Sequence, residues 1–362
     1  MASPATTQTV RPLGTLGFAV SGPPQITDVV AEHLRLLGAD PDGPATDGPE
    51  GGITLSGGGF EPARATARWA DPGSGLVDEA TVQAATGMMA VHGRRDGAPR
   101  GLAADYAATA TAVLTVQGLL AGLVGQARGA GPAHVTTTAA RAGLLAVSQY
   151  LAAAGVDEGE AAELAPGGPP FTSAEGVLFE LETLDPGAWA GFWRALRAPA
   201  DAMRAGWRPF QFRYATACAP FPQALHTVTR SHPLPRIRQA AAASGAEVCV
   251  LRTLADRALE ADGAAPWSLR PLPGGPAPTS PPGPVAPSAR RPLAGLTVLE
   301  AGRRIQAPLA AHLLGLLGAE VIRIEPRGGA PPRGGPPPPP PGWGRAGARA
   351  RGGGGGALSL TR

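Results

Sequence analysis

Hydrophobic and polar positions follow helical or strand periods over most of the first 262 residues and again over 291–325. In the second region an apolar run at 296–299, a loop with Gly302, an apolar stretch through Leu317 and the alternating segment 320–325 predict strand, helix and strand. Pro308 is expected at the first helical position and Gly318 at the helix C-cap. Two strands joined by a crossing helix make one βαβ unit and imply a parallel sheet. Upstream, 79–92 and 103–127 read as helices, the latter so dense in Ala and Leu that it should be buried on several sides. Residues 134–138 read as a strand and 139–154 as another helix. Between 41 and 78, Gly, Pro and Asp dominate, with one strand expected at 53–55. The run Gly57-Gly58-Gly59 lacks the G-x-G-x-x-G spacing of a phosphate cradle and reads as a plain turn.

Residues 11–40 recur without a gap at an offset of 280, as residues 291–320, with 11 of 30 positions identical. The first copy keeps the helix pattern but has Pro41, Gly43 and Pro44 where a second strand belongs, so its βαβ unit should be degraded. Composition shifts at 166–170, beyond which Trp189, Trp193 and Trp207 lie among mixed helix and strand signals. The fold class expected is α/β: a Rossmann-like parallel sheet, a smaller mixed α+β lobe and a disordered Pro/Gly-rich C-terminal tail. The corresponding divisions are a large domain at 11–165, the small lobe at 166–262, a Pro-rich linker at 263–290, a second βαβ copy at 291–330 and the tail at 331–362.

Composition narrows the chemistry. Gly and Pro number 52 and 41 in 362 residues, at the edge of the low-complexity range, yet 43% hydrophobic residues leave enough to build one or two cores. No lysine occurs, which excludes Schiff-base and Walker A lysines. The net charge of +3 belongs to the tail, where Arg333, Arg345, Arg349, Arg351 and Arg362 face no acid. The body therefore gives no charge-based reason to bind nucleic acid or a membrane. An RNA-binding tail with Trp343 is the weakest reading. Cys218 and Cys249 show no metal or disulfide spacing, no metal motif appears, and neither a signal pattern nor an uninterrupted membrane-length apolar run is found. A cytoplasmic protein is expected. Ser148, His226 and His232 form no Ser-His-Asp order.

The segment RPLAGLTVLEAGRRIQAPLAAHLLGLLGAEVIRIEPRGG resembles the opening of class III coenzyme A transferases, the family that includes formyl-CoA and carnitine CoA-transferases and α-methylacyl-CoA racemases. Residues 82–89 followed by Arg95-Asp96-Gly97-Ala98-Pro99 are similar to the family's QA-x-(S/T)-G and DG-x-P signature, and LLAGLVGQARGAGPAHV to the segment that ends its long helix. More distant similarity continues through PFTSAEGVLFELE and ASGAEVCVLRTLAD. In this light 11–165 is a CoA-transferase-like large domain with a reduced nucleotide-binding part, and 291–330 the start of a further copy.

The resemblance implies that Asp105, at the start of the long helix, is the catalytic nucleophile. In the family this aspartate forms a mixed anhydride and then an aspartyl-CoA thioester, with backbone amides stabilising the oxyanions. Aspartate is also a common helix cap, and that role stays open for Asp105. Arg323, the basic residue of the VI-(K/R)-x-E segment, is the candidate contact for a CoA phosphate, or else the solvent face of an alternating strand. The implied substrates are an acyl-CoA and a carboxylic acid acceptor, with coenzyme A as substrate and no permanently bound cofactor, in a homodimer. The racemases carry a histidine five residues before the motif glutamine, where this chain has Asp78, so the racemase alternative loses its base. His92 nearby reads as a surface or core-edge residue. A non-catalytic remnant or scaffold is the other alternative.

Overall fold

The computed structural model describes residues 10–48, 50–154, 164–260, 267, 269, 285–302, 305–326 and 358–361. Most of the linker at 263–290 and nearly all of the tail at 331–362 lie outside the described residues.

The chain opens with β1 (Leu16–Ser21), α1 (Pro24–Leu36) and β2 (Asp40–Pro41), then a hairpin of β3 (Gly51–Gly57) and β4 (Phe60–Arg68). Two short helices follow, α2 (Glu79–Ala85) and α3 (Met88–His92), then the long α4 (Tyr106–Ala127), β5 (His134–Thr138), α5 (Ala139–Ala146) and α6 (Ser148–Ala154). The five strands form one sheet in the order β2-β1-β3-β4-β5. Only the β1/β2 and β4/β5 pairs are parallel, so the expected all-parallel sheet is corrected to a mixed one. Its antiparallel centre exists because Gly57, Gly58 and Gly59, all at positive φ, turn β3 directly into β4, as a plain turn.

The sequence pattern missed β4 because its buried positions, Ala63, Ala65 and Ala67, are alanines alternating with Arg64, Thr66 and Arg68. Alanine is too small to announce a strand, but it lets α4 lie close against the sheet. The stretch 139–154 is two helices, since α5 stops at Val147. Helix α4 is, among the described residues, the one helix long and apolar enough to cross a membrane, and counting uninterrupted apolar runs passed over it. Here it is the core helix, with Ala108, Ala112 and Leu119 fully buried. Thr111 and Thr115 satisfy their hydroxyls on the carbonyls one turn back.

The segment from 171 builds a separate core. Strands β6 (Phe171–Thr172), β7 (Leu178–Glu182) and β8 (Glu247–Val250) form an antiparallel sheet. Helices α7 (Pro186–Ala195), α8 (Ala200–Thr216), α9 (Gln223–Arg230) and α10 (Leu234–Ser244) run between β7 and β8, and α11 (Leu254–Leu259) follows. Phe171, Phe179, Trp189, Phe192, Trp193 and Phe210 fill the interior.

The last unit is β9 (Thr297–Glu300), α12 (Gln306–Leu316), β10 (Glu320–Pro326) and β11 (Leu358–Thr361). Pro308 is the third residue of α12, not the first. The 280-residue offset holds at the level of single bonds. Gly17 pairs with Asp40 in the first copy and Thr297 with Glu320 in the second. The Leu13 amide donates to Leu37 O at 3.0 Å, and Leu293 to Leu317 O at 3.0 Å. Gly38 and Gly318 close the two helices at φ +98° and +105°, each against the Arg of its Arg-Pro-Leu start, so no side chain fits there. The second strand that the first copy was expected to lack survives as the two residues of β2.

The second copy docks on the C-terminal end of α4. Ala121, Leu293 and Ala319 form a small buried cluster, and the Arg128 guanidinium donates to Pro292 O at 3.1 Å and Ala294 O at 2.7 Å. Arg128→Ala is expected to loosen this contact and speed limited proteolysis within 296–325, with cleavage of the body unchanged. Equal cleavage rates in variant and wild type would show that Arg128 does not hold the unit.

Candidate active site

Strands β1, β2, β4 and β5 point the same way, and α4 runs back against β5, as the Thr115–Thr137 hydroxyl contact at 2.6 Å and the approach of Gly118 to Val135 show. The head of α4 therefore lies at the carboxyl edge of the sheet, where open α/β sheets place their ligands. A cleft of about 480 Å³ opens at this edge, lined by Gln25, Glu50, Arg68, Trp69 and Asp71 among others.

Asp105 is the N-cap residue of α4, is exposed, and makes no side-chain cap hydrogen bond. Its backbone explains why. At φ −78°, ψ 62°, with the Tyr106 amide donating to Ala104 O at 2.9 Å, it is the centre of an inverse γ-turn. Residues that do cap helices with their own side chains here, Asp78, Thr138, Asp185 and Thr253, have ψ between 118° and 176°. Asp105 thus occupies the cap position without capping through its side chain.

The amides that Asp105 leaves are taken by Glu79. Ala107 N–H donates to Glu79 Oε1 at 2.8 Å and Ala108 N–H to Oε2 at 2.9 Å. Gln83, the motif glutamine and nearly fully buried, donates to Glu79 Oε1 at 2.8 Å and to Ala104 O at 3.2 Å, and accepts from the Leu102 amide at 2.7 Å. The family-like motif thereby ties α2 to the turn that carries Asp105. The amides of Ala107 and Ala108 are thus occupied by Glu79. Sequence reading missed Glu79, although its place four residues before Gln83 on one helix was a usable signal.

Asp78 caps α2 in a reciprocal pair with Thr81, and the bond from the Thr81 amide, then its hydroxyl, hold the Asp78 carboxyl below its ordinary value of 3.8. A lowered acid contributes stability above the unfolded value that is lost as pH falls through the folded one. Asp78→Ala should therefore lower Tm at neutral pH, and its gap to wild type should close as pH falls below 3.8 and through the folded value; a gap that stays constant would refute the role of the ionised cap. His92 is engaged by the Arg100 carbonyl at 3.0 Å, which pins the loop after the DG-x-P segment.

Arg323 does not meet Asp105. It lies on β10, paired with Glu300 at 3.2 Å and Glu325 at 2.8 Å. Its unit is anchored at Gly125 and Arg128, about 30 Å along α4 from Asp105 at the usual helical rise.

A family model described as CoA-transferase family III matches residues 69–274 and 293–352. The chain belongs to CoA-transferase family III. Glu79, Gln83 and Asp105 all fall in the first matched segment and Arg323 in the second, while β1 to β4 precede both. Among solved structures, the chain is similar to the Mycobacterium tuberculosis protein Rv3272, at 17% identity and TM-score 0.41 over 54% of this chain and 56% of that one. It is also similar to a CaiB/BaiF family protein from Brucella suis, at 16% identity and TM-score 0.37 over 51% and 50%. The chain spans about half the length of these structures. No curated protein sequence matches it.

Proposed function

We propose that the protein moves coenzyme A between an acyl-CoA thioester and a carboxylic acid, with Asp105 as nucleophile. The observation that carries this reading is the Asp105 carboxylate itself, exposed at the carboxyl edge of the sheet and relieved of capping by Glu79. A carboxylate oxygen of Asp105 attacks the thioester carbonyl; the C–S bond breaks and the CoA thiolate leaves a mixed anhydride. The thiolate then attacks the aspartyl carbonyl, releasing the donor acid and forming an aspartyl-CoA thioester. The acceptor carboxylate repeats the sequence in reverse and restores Asp105. No net proton is required, in keeping with a site that has no histidine where the racemases carry theirs.

In this reading Arg323 contacts a CoA phosphate only across the homodimer, since about 30 Å of α4 separates its unit from Asp105 in the same chain, and a phosphate there has to displace Glu300 or Glu325. The reading includes a homodimer in the cytoplasm. One observation favours the alternative of a non-catalytic remnant: the second strand of the first βαβ copy is reduced to two residues. The deciding experiment is exchange of isotope from labelled carboxylic acid into acyl-CoA, run beside Asp105→Ala. Exchange by neither protein would favour the remnant.

A further inference from the structure

We infer that Glu79 is a positioning residue that keeps Asp105 out of its own helix cap. The inference rests on the reading of Asp105 as nucleophile for its consequence, but not for its geometry. The first turn of any α-helix presents unsatisfied amides, and an aspartate at the N-cap ordinarily turns its carboxylate onto the second or third of them. In α4 those two amides, Ala107 and Ala108, are both held by the Glu79 carboxylate, which arrives from the first position of α2. One carboxylate thus serves the positive ends of two helices. With the amides occupied, and with Ala104 O held by Gln83, residue 105 stays in the γ-turn and its exposed carboxylate makes no bond to the helix end.

Without Glu79 the balance reverses. The vacated amides are the strongest partners within reach of Asp105, and rotating ψ from 62° into the extended range worn by the capping residues Asp78 and Thr138 brings the carboxylate onto them. Asp105 then restores the cap and withdraws from substrate. A residue that merely stabilised α4 would behave otherwise, because its loss would lower stability and leave the aspartate in place.

The test is a double-mutant cycle read in two ways. In thermal unfolding, Asp105→Ala alone should leave Tm unchanged and Glu79→Ala alone should lower it by less than about 2 °C, since Asp105 takes over the cap. The double variant loses both caps, and its Tm should fall about 2–4 °C below the sum of the singles. In the exchange assay, Glu79→Ala should lower kcat by about 10²-fold with KM for acyl-CoA within about twofold, the signature of a misplaced nucleophile rather than a damaged binding site. Glu79→Gln keeps one acceptor oxygen but sets an NH2 against the second amide, and should recover kcat only in part. Additive Tm changes, or a Glu79→Ala enzyme with wild-type kcat, would overturn the inference. Should Asp105→Ala retain full exchange, the nucleophile reading falls while the Tm cycle still decides the capping relation.

Discussion

Asp105→Ala is expected to reduce CoA exchange by at least about 10³-fold without lowering Tm. The two halves of this result have separate causes. The chemical loss follows from removing the atom that forms the covalent bond, for which neither Glu79 nor Asp78 can substitute: the first is bound to two helix amides, the second is committed to Thr81. The unchanged stability follows from the γ-turn. The side chain of Asp105 makes no cap bond, and Ala adopts φ −78°, ψ 62° as readily, so the change should stay within about 0.5 kcal/mol. Binding of free CoA, measured by calorimetry, should persist in the variant, because the proposed phosphate contact, Arg323, lies away from Asp105. Exchange at the wild-type rate would remove Asp105 from the mechanism. A large fall in Tm would instead show that the carboxylate has structural partners.

What the sequence made legible was whatever leaves a strong periodic or punctuated trace. The two 30-residue copies align without a gap, and the structure repeats the backbone hydrogen bonds that close them, because Arg-Pro-Leu and Leu-Leu-Gly-Ala are themselves the residues that close the unit. Helix α4 and the position of Asp105 at its head were equally plain. The mixed sheet was not, since β4 buries only alanines and its pairing depends on a glycine turn that is neutral between several outcomes. Glu79 was hidden for another reason. Its spacing from Gln83 was visible, but the partners that define its role, Ala107 and Ala108, are backbone amides 28 and 29 residues away, and a backbone donor leaves no mark in a sequence. Arg323 shows the converse limit: its motif suggested a ligand, but no sequence signal showed that the fold also brings Glu300 and Glu325 from its own unit against it.

The small lobe carries the largest expected stability effect, at Arg213 on α8. Its side chain is 5% exposed, and the guanidinium donates to Glu182 on β7 and, at 2.7 Å, to Phe210 O. It also lies 3.8 Å from the Phe210 ring centroid and 4.2 Å from that of Tyr214. Tyr214 completes the cluster by donating to Glu182 at 2.6 Å, its phenol pushed up by burial and by that bond. Breaking such a pair from one side costs about 3–5 kcal/mol when both partners are buried. Glu182 is about one third exposed, so Arg213→Ala should cost about 3 kcal/mol, near the lower end. In thermal unfolding followed by tryptophan fluorescence of the lobe, that is a fall of about 6–12 °C. Lysine should not rescue it, since an ammonium cannot satisfy the fork and stack between two rings. The loss should also depend on pH. Burial raises the Glu180 carboxyl above its ordinary 4.5, and Arg213 is the largest influence holding it down. A raised acid binds more protons folded than unfolded, so its cost is greatest above the folded value and is relieved as pH falls toward 4.5. Without Arg213 that cost grows, and the gap between variant and wild type should be wider at pH 7 than near pH 4.5. A gap that is constant across this range would assign the loss to packing on the two rings rather than to charge, and a Tm within about 2 °C of wild type would show that the cluster contributes little.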